Sequence, residues 1–159
     1  MPVTVPPKGT RGTPLPRFLV RLGARFAPGM FRRRPNKTGG GVQTFLLETH
    51  GAKSGKARTA ILGYLEEGPS AWLTVASLGG ASRQPGWLYN LAKDPHGTIE
   101  FYGGRRVEVE AETLEGAELD AAWKRFEVEA PEYPKYLTKT DREIPIVRLR
   151  AVSDATAEG

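Results

Sequence analysis

The chain has no cysteine. Disulfides, thiolate metal sites and a cysteine nucleophile are thereby excluded. It has two histidines, His50 and His96, with no HxH or HExxH spacing, so no metal centre is expected. No apolar run approaches the roughly 20 residues that a membrane span needs. Residues 1–16 are Pro-rich and lack the apolar core of a secretory signal, so the expected location is cytoplasmic. Acid is missing from the whole N-terminal part. Nine basic residues (Lys8, Arg11, Arg17, Arg21, Arg25, Arg32, Arg33, Arg34, Lys37) precede the first acid, Glu48. The rest carries 14 Lys and Arg against 18 Asp and Glu, so the net charge of +5 belongs to the N-terminal segment. Familiar catalytic motifs are lacking too. There is no GxGxxG, no GxSxG and no histidine placed for a Ser-His-Asp triad. The run Gly51-Ala52-Lys53-Ser54-Gly55-Lys56-Ala57 misses the P-loop in spacing and in the Ser/Thr after lysine.

What is present centres on Glu48 to Thr59. Apolar, β-favouring runs flank it, Val42 to Leu47 before and Ala60 to Leu65 after. Between them lie two glycines, three cations and Ser54. Glycine lets the backbone approach a ligand, and Lys and Arg supply charge-assisted donors. The stretch reads as an anion cradle between two strands, or as an ordinary solvated hairpin turn.

A chain of 159 residues fits one domain with a real core. Residues 1–40 read as a basic Pro/Gly-rich N-terminal segment, 41–150 as the barrel domain and 151–159 as a disordered tail. Residues 1–16 hold five prolines and are expected to be disordered or extended. Pro16 suits a first helical position. Phe18, Leu19, Leu22 and Phe26 share one helical face and Arg17, Arg21 and Arg25 another, with Pro28-Gly29 expected to end the helix. Its apolar face either packs on the domain or lies on an anionic membrane surface. Nucleic acid is less favoured, because no aromatic platform accompanies the basic run. Asn36 to Gly41 reads as flexible.

The pattern then turns to β. Runs 42–47, 59–65 and 71–77 suggest an antiparallel meander. Gly79-Gly80 directly follows the third run, and a helix with Trp87, Leu88 and Leu91 on one face ends at Asp94-Pro95. Gly103-Gly104 marks a hairpin. In its second strand Val107, Val109 and Ala111 alternate with Glu108, Glu110 and Glu112, the glutamates being read as solvated. A helix over 115–129 buries Leu119, Ala122, Trp123 and Phe126. Glu129 to Tyr136 reads as a proline-stiffened aromatic loop. A last strand over 144–149 carries Pro145 at an edge or start. The sum is an α+β fold, a small barrel of six or seven antiparallel strands with flanking helices.

A chain poor in nucleophiles can still catalyse when a cofactor carries the chemistry. Cations from Lys53 to Arg58 suit phosphate and carboxylates. Gly79-Gly80 lets backbone amides reach a flat ring. Trp87 can wall a heterocycle and Asn90 can hydrogen-bond it, although a tryptophan here also reads as core and an asparagine as a cap.

An ordered series of short motifs runs through the chain. It comprises Thr49-x-Gly51-x-Lys53-Ser54-Gly55-x-x-Arg58, Val75-Ala76-Ser77-x-Gly79-Gly80-Ala81, Pro85-x-Trp87-x-x-Asn90-Leu91-x-x-x-Pro95, Tyr133-x-x-Tyr136 and Lys139-Thr140-Asp141-Arg142-x-Ile144-Pro145. The series resembles the deazaflavin-dependent nitroreductases, or quinone reductases, of actinobacteria over about residues 17–150. The resemblance implies a split β-barrel related to flavin-reductase and FMN-binding barrels, with reduced coenzyme F-420 as hydride donor. It implies that Lys53, Ser54 and Arg58 hold the coenzyme's phosphate and polyglutamate tail. Ala76, Ser77, Gly79, Gly80, Trp87 and Asn90 would surround the deazaflavin. Tyr133 and Tyr136 would close over the substrate, and Ser77 or Tyr133 would polarise the acceptor or assist protonation. The basic N-terminus resembles the family's membrane-associating segment, which suits lipid quinones.

Three positions depart from the family pattern. Leu78 stands where Lys is frequent, Ile61-Leu62 where Pro is frequent, and Ala130 where Tyr is frequent, the last opening the substrate pocket. The expected activity is hydride transfer to a quinone, activated enone or nitroaromatic. FMN binding, non-catalytic binding of the deazaflavin, and a cofactor-free barrel on RNA or membrane are the alternatives.

Overall fold

The computed structural model describes residues 2–33, 38, 39 and 42–152. The strands are β1 (Thr38–Gly39), β2 (Val42–His50), β3 (Ala57–Gly63), β4 (Leu65–Glu66), β5 (Ala71–Val75), β6 (His96–Phe101), β7 (Arg106–Thr113) and β8 (Ile146–Ala151). The helices are α1 (Arg17–Arg33), α2 (Gly86–Lys93), α3 (Gly116–Glu129) and α4 (Glu132–Lys135). Six of the strands have five residues or more, and all pairings are antiparallel.

The sheet runs β1-β2-β6-β7-β8-β5-β4. It curls into a barrel because β3 and β4 form one continuous segment interrupted only at Tyr64. β3 pairs with β2, and β4 pairs with β5. The expected split barrel is therefore present, and the expected meander runs through the bent 57–66 segment, whose β3 half pairs with β2 and whose β4 half pairs with β5. β5 pairs with β8, through Trp72↔Leu149 and Val75↔Ile146, rather than with β3. The 57–66 segment has carried the chain to the other side of the barrel before β5 begins.

Alternation along β2 sorts its apolar run onto two faces. Phe45 and Leu47 point into the barrel with Tyr64, Trp72, Ile99, Val109 and Leu149. Leu46 points outward and packs with Ala27 and Phe31 of α1. Val107, Val109 and Ala111 of β7 are buried as expected, while Glu108 and Glu110 are exposed. Glu112 departs from the solvated reading. It pairs with Arg148 Nη1 at 3.0 Å and with Arg150 Nη2 at 3.2 Å. Arg148 also reaches Glu118 on α3 at 2.7 Å and Glu67 beyond β4.

Helix α1 does not stop at Pro28-Gly29. Proline removes the N–H that would meet the Ala24 carbonyl, and the Thr59 hydroxyl donates to that carbonyl instead at 3.2 Å. Beyond the proline, Phe31 is buried and Arg32 forms a two-pronged pair with the buried Glu100, both contacts at 2.9 Å. The helix thus docks through Ala27, Phe31 and Arg32. Of the two readings of its apolar face, packing on the domain is not what the fold shows: Phe18, Leu19, Leu22 and Phe26 are exposed, as is Met30.

Residues 2–16 have no helix or strand, but they are held along the barrel and are not free. Val3 is buried in the main core. Gly9 donates to the Ser82 carbonyl at 2.7 Å and Thr13 to Gly80 at 2.9 Å. The Asp141 carboxylate accepts from the Thr10 amide at 2.8 Å, the Arg11 amide at 2.9 Å and the Thr10 hydroxyl. Glu129 to Tyr136, expected as a loop, contains the one-turn helix α4. Pro145 lies just before β8, a strand paired on both sides, which leaves the strand-start reading. Arg34, much of the 36–41 run and the tail from 153 lie outside the described residues.

Candidate functional site

The turn between β2 and β3 closes through Gly51 N–H to Lys56 O and Gly55 N–H to Gly51 O, each at 2.8 Å. Gly55 has φ +71°, where glycine avoids the Cβ penalty. Lys53, Ser54, Lys56 and Arg58 are exposed. A Cβ on Gly51 would lie 2.8 Å from Ser54 Oγ and 3.6 Å from Arg58 Nε, so both side chains gather around that glycine. Among the described residues, none of these three cations has a carboxylate partner. The turn is a patch of free positive charge on a fixed backbone.

Asn90 fixes it. Its Oδ1 accepts the Ala52 N–H at 2.9 Å, and its Nδ2 donates to Thr49 Oγ1 at 3.0 Å. Both ends of the carboxamide are engaged behind the turn, so Asn90 braces the cationic segment from α2. Trp87, on the same helix, is buried in the main core. Of the readings the sequence left open, the fold shows Trp87 in the core and Asn90 bonded to the turn.

The chain leaves β5 through Ala76, which is fully buried and donates to the Pro145 carbonyl at 3.0 Å. Ser77 is right-handed, and Leu78, Gly79 and Gly80 follow at φ +41°, +62° and +83°. For Leu78 this conformation costs on the order of 1 kcal/mol, which the surroundings must offset. A Cβ on Gly79 would meet nothing within 4 Å, so this turn has an open face. Gly80 is closed in: a Cβ there would meet the Lys139 side chain at 2.9 Å and Thr13 at 3.2 Å.

The aromatic segment lies close by, with the 136–138 turn touching the 78–80 turn. Tyr133 packs edge-on against Phe126 at 5.6 Å and Tyr136 at 6.0 Å between ring centres. Its hydroxyl lies where a Cβ on Gly63 would stand. Gly63 in turn offers its carbonyl to Thr74 Oγ1 of β5 at 2.9 Å. Burial pushes the Tyr133 phenol up to about 12, the neighbouring Tyr136 adds to this, and the Gly63 backbone N–H works against it. Ala130 is fully buried in the cluster around Phe126.

Arg142 was quoted in a motif without a role, and the fold gives it one. It is 5% exposed. Its Nε donates to the Ala81 carbonyl and its Nη2 to the Ser77 carbonyl, both at 2.6 Å, and its Nη1 to Gln84 Oε1 at 2.9 Å. The two carbonyls bracket the left-handed residues 78–80. Flanked by Asp141 and Glu143, Arg142 reads in sequence as a surface residue. A hollow of about 290 Å³ opens among Gln43, Tyr64, Trp72, Phe101 and Arg105, and none of the expected site residues lines it.

Comparison with known proteins adds an independent line. A family model described as "F420H(2)-dependent quinone reductase" matches residues 24–151. A Mycobacterium tuberculosis protein named as an F420H(2)-dependent quinone reductase is 37% identical over 134 residues, 82% of this chain and 89% of its own. Another, named as a putative enzyme of the same kind from the same species, is 32% identical, covering 82% and 98%. The solved structure of an F420-H2-dependent reductase (FDR-A) superposes with a TM-score of 0.60 at 35% identity, covering 67% of this chain and 93% of that one. A domain-swapped dimer superposes at 0.62 with 29% identity, covering 86% and 100%.

Proposed function

Because the chain belongs to the F420H(2)-dependent quinone reductase family, we propose that it passes hydride from reduced coenzyme F-420 to a quinone, activated enone or nitroaromatic acceptor. The coenzyme supplies the hydride when bound. The residues present fit an anionic, planar molecule. Lys53 and Arg58 are exposed cations without carboxylate partners among the described residues, and Ser54 stands beside them; these three would hold phosphate and carboxylates. Ala76, Ser77, Gly79 and Gly80 would border the ring, with the open face at Gly79 admitting it. Trp87 and Asn90 would act from beneath, one as packing and one as brace. The observation that carries this reading is that a turn of exposed cations is braced by Asn90 of α2, while the Gly79 turn, held at both ends by Arg142, presents an open face.

Hydride addition leaves negative charge on an acceptor oxygen, which then needs a proton. Ser77 and Tyr133 have hydroxyls that would donate there, and Tyr133 stays protonated throughout the neutral range. Tyr136 would wall the acceptor on the Tyr133 side. Ala130 would influence the acceptor only through the packing of Tyr133 above it.

The exposed stripe Phe18, Leu22, Phe26 and Met30 recurs every four residues, with Arg17, Arg21 and Arg25 beside it. This supports peripheral contact with an anionic membrane, where lipid quinones dissolve. Among the described residues, no helix is long and apolar enough to cross one. Serine at Phe18, Leu22 and Phe26 together is expected to abolish co-sedimentation with anionic liposomes; unchanged sedimentation would refute the membrane role.

The central test is fluorescence titration with coenzyme F-420, with FMN in parallel, followed by multiple-turnover reduction of a quinone. Saturable deazaflavin binding with turnover is expected. FMN binding alone, or deazaflavin binding without turnover, would overturn the proposal.

A further inference from the structure

Among the described residues, Arg142 is a buried charge without a counter-charge, and its guanidinium meets neutral acceptors: the Ser77, Ala81 and Glu143 carbonyls and the Gln84 carboxamide. Two acids flank it in sequence, yet neither pairs with it. Asp141 is turned to Thr10 and Arg11 of the N-terminal strap, and Glu143 is exposed. Gln84 is itself held, donating to the Glu143 carbonyl at 3.0 Å. Burial draws the Arg142 pKa down to about 10, which leaves it charged at neutral pH.

Position follows from the acceptors. Ser77 and Ala81 are the residues on either side of the left-handed Leu78-Gly79-Gly80. The arginine fork therefore holds both ends of the strained turn and places an unneutralised positive charge behind its open face. Leu78 itself brings no cation. An exposed lysine there would be screened by salt within about a Debye length, whereas a buried charge is screened much less. The other charged or titratable groups near the turn are Tyr89 on α2, which faces Arg142, Arg83 in the following loop, and Lys139, packed on Gly80 with its ammonium 5.2 Å from the Tyr136 ring centre.

We infer that Arg142 is a positioning residue of the coenzyme site, whose buried charge makes the Ser77–Ala81 turn receive the deazaflavin preferentially as its anion. This deepens, and rests on, the reading that the turn borders that ring. The ring carries an acidic hydroxyl whose negative charge is delocalised through the conjugated system, so a fixed positive charge behind either end favours the ionised form.

The test uses the full chain and oxidised coenzyme F-420. Its ring ionisation is followed by absorbance, free and protein-bound, across the pH range in which the hydroxyl titrates. The bound ring should ionise about one pH unit lower than the free one, equivalent to about tenfold tighter binding of the anion over the neutral form. The shift should persist at high salt and in Lys139→Ala. It should disappear in Arg142→Met and return in part in Arg142→Lys, with folding checked by circular dichroism. A bound ring that ionises at the same or a higher pH than the free one would overturn the inference. So would a full shift in a folded Arg142→Met chain. If that variant does not fold, the wild-type titration still decides. Absence of any saturable binding by the wild type would instead bring down the site reading itself, and this inference with it.

Discussion

The Tyr133 hydroxyl occupies the space that a side chain at Gly63 would need. Glycine at this point of β3 is thus a packing requirement set by a residue 70 positions away. Gly63→Ala would press on that hydroxyl and, at 2.8 Å, on Val42 Cγ2. Overpacking of this kind costs about 1–3 kcal/mol. Urea denaturation should show that loss, and Gly63→Ala with Tyr133→Phe should recover part of it. Because the alanine displaces Tyr133, acceptor KM should change more than coenzyme Kd.

Tyr133→Phe alone separates packing from chemistry. It keeps the ring contacts with Phe126 and Tyr136. Turnover should fall while coenzyme binding changes little. Wild-type turnover in this variant would remove Tyr133 from the proton-donating role.

Lys53→Ala with Arg58→Ala removes two exposed cations that no carboxylate answers among the described residues. Coenzyme affinity should fall at least tenfold, with the melting temperature nearly unchanged. Asn90→Ala should do the reverse in part. It orphans the Ala52 N–H and the Thr49 hydroxyl, costing about 1–3 kcal/mol of stability, and weakens binding only through the displaced turn. Calorimetry and thermal melting together distinguish the two patterns.

The strap has an acid-sensitive anchor. The Thr10 hydroxyl, then the Arg11 amide, hold the Asp141 carboxylate down to about 2. A depressed carboxylate stabilises the native contact above its unfolded pKa, near 4. That contribution is lost as pH falls from about 4 towards 2. The chain has no cysteine, so a dye on Lys8→Cys reports the strap alone. Its anisotropy should drop across this interval in the wild type and lack that pH dependence in Asp141→Asn.

Arg148 joins β8 to Glu112 on β7, Glu67 beyond β4 and Glu118 on α3. Its pKa is raised, chiefly by Glu67, and that of Glu67 is lowered, chiefly by Arg148. Removing one partner of a buried pair leaves charge uncompensated. Glu118 is largely exposed, however, and Arg150 still answers Glu112. Arg148→Met should therefore cost about 3 kcal/mol, the lower end for buried pairs, measurable by urea denaturation.

Much of this molecule is legible from local pattern. The Gly103-Gly104 hairpin, the alternation of Val107 to Ala111, the α2 boundary at Asp94-Pro95 and the buried face of α3 each depend on neighbours a few residues apart. Periodicity and turn chemistry act at that range. The cationic turn and the Gly79-Gly80 turn were legible for the same reason. The course of α1 through Pro28 was not, because the donor that satisfies Ala24 comes from Thr59, on another element. The partner of β5 was hidden as well, since the bend at Tyr64 takes effect only when the sheet closes.

Sequence by itself determined which residues carry charge, hydroxyls and conformational freedom, and hence that a cationic Gly turn and a Gly-Gly turn precede a helix. Tertiary structure alone decided their use. It set Asn90 behind the cationic turn and Trp87 in the core, closed Tyr133 over Gly63, docked the proline-rich strap on Asp141 and drew Arg142 beneath the Ser77–Ala81 turn. The reason is physical. Burial, desolvation and hydrogen-bond satisfaction depend on groups brought together from distant parts of the chain, and no local pattern states which groups those will be.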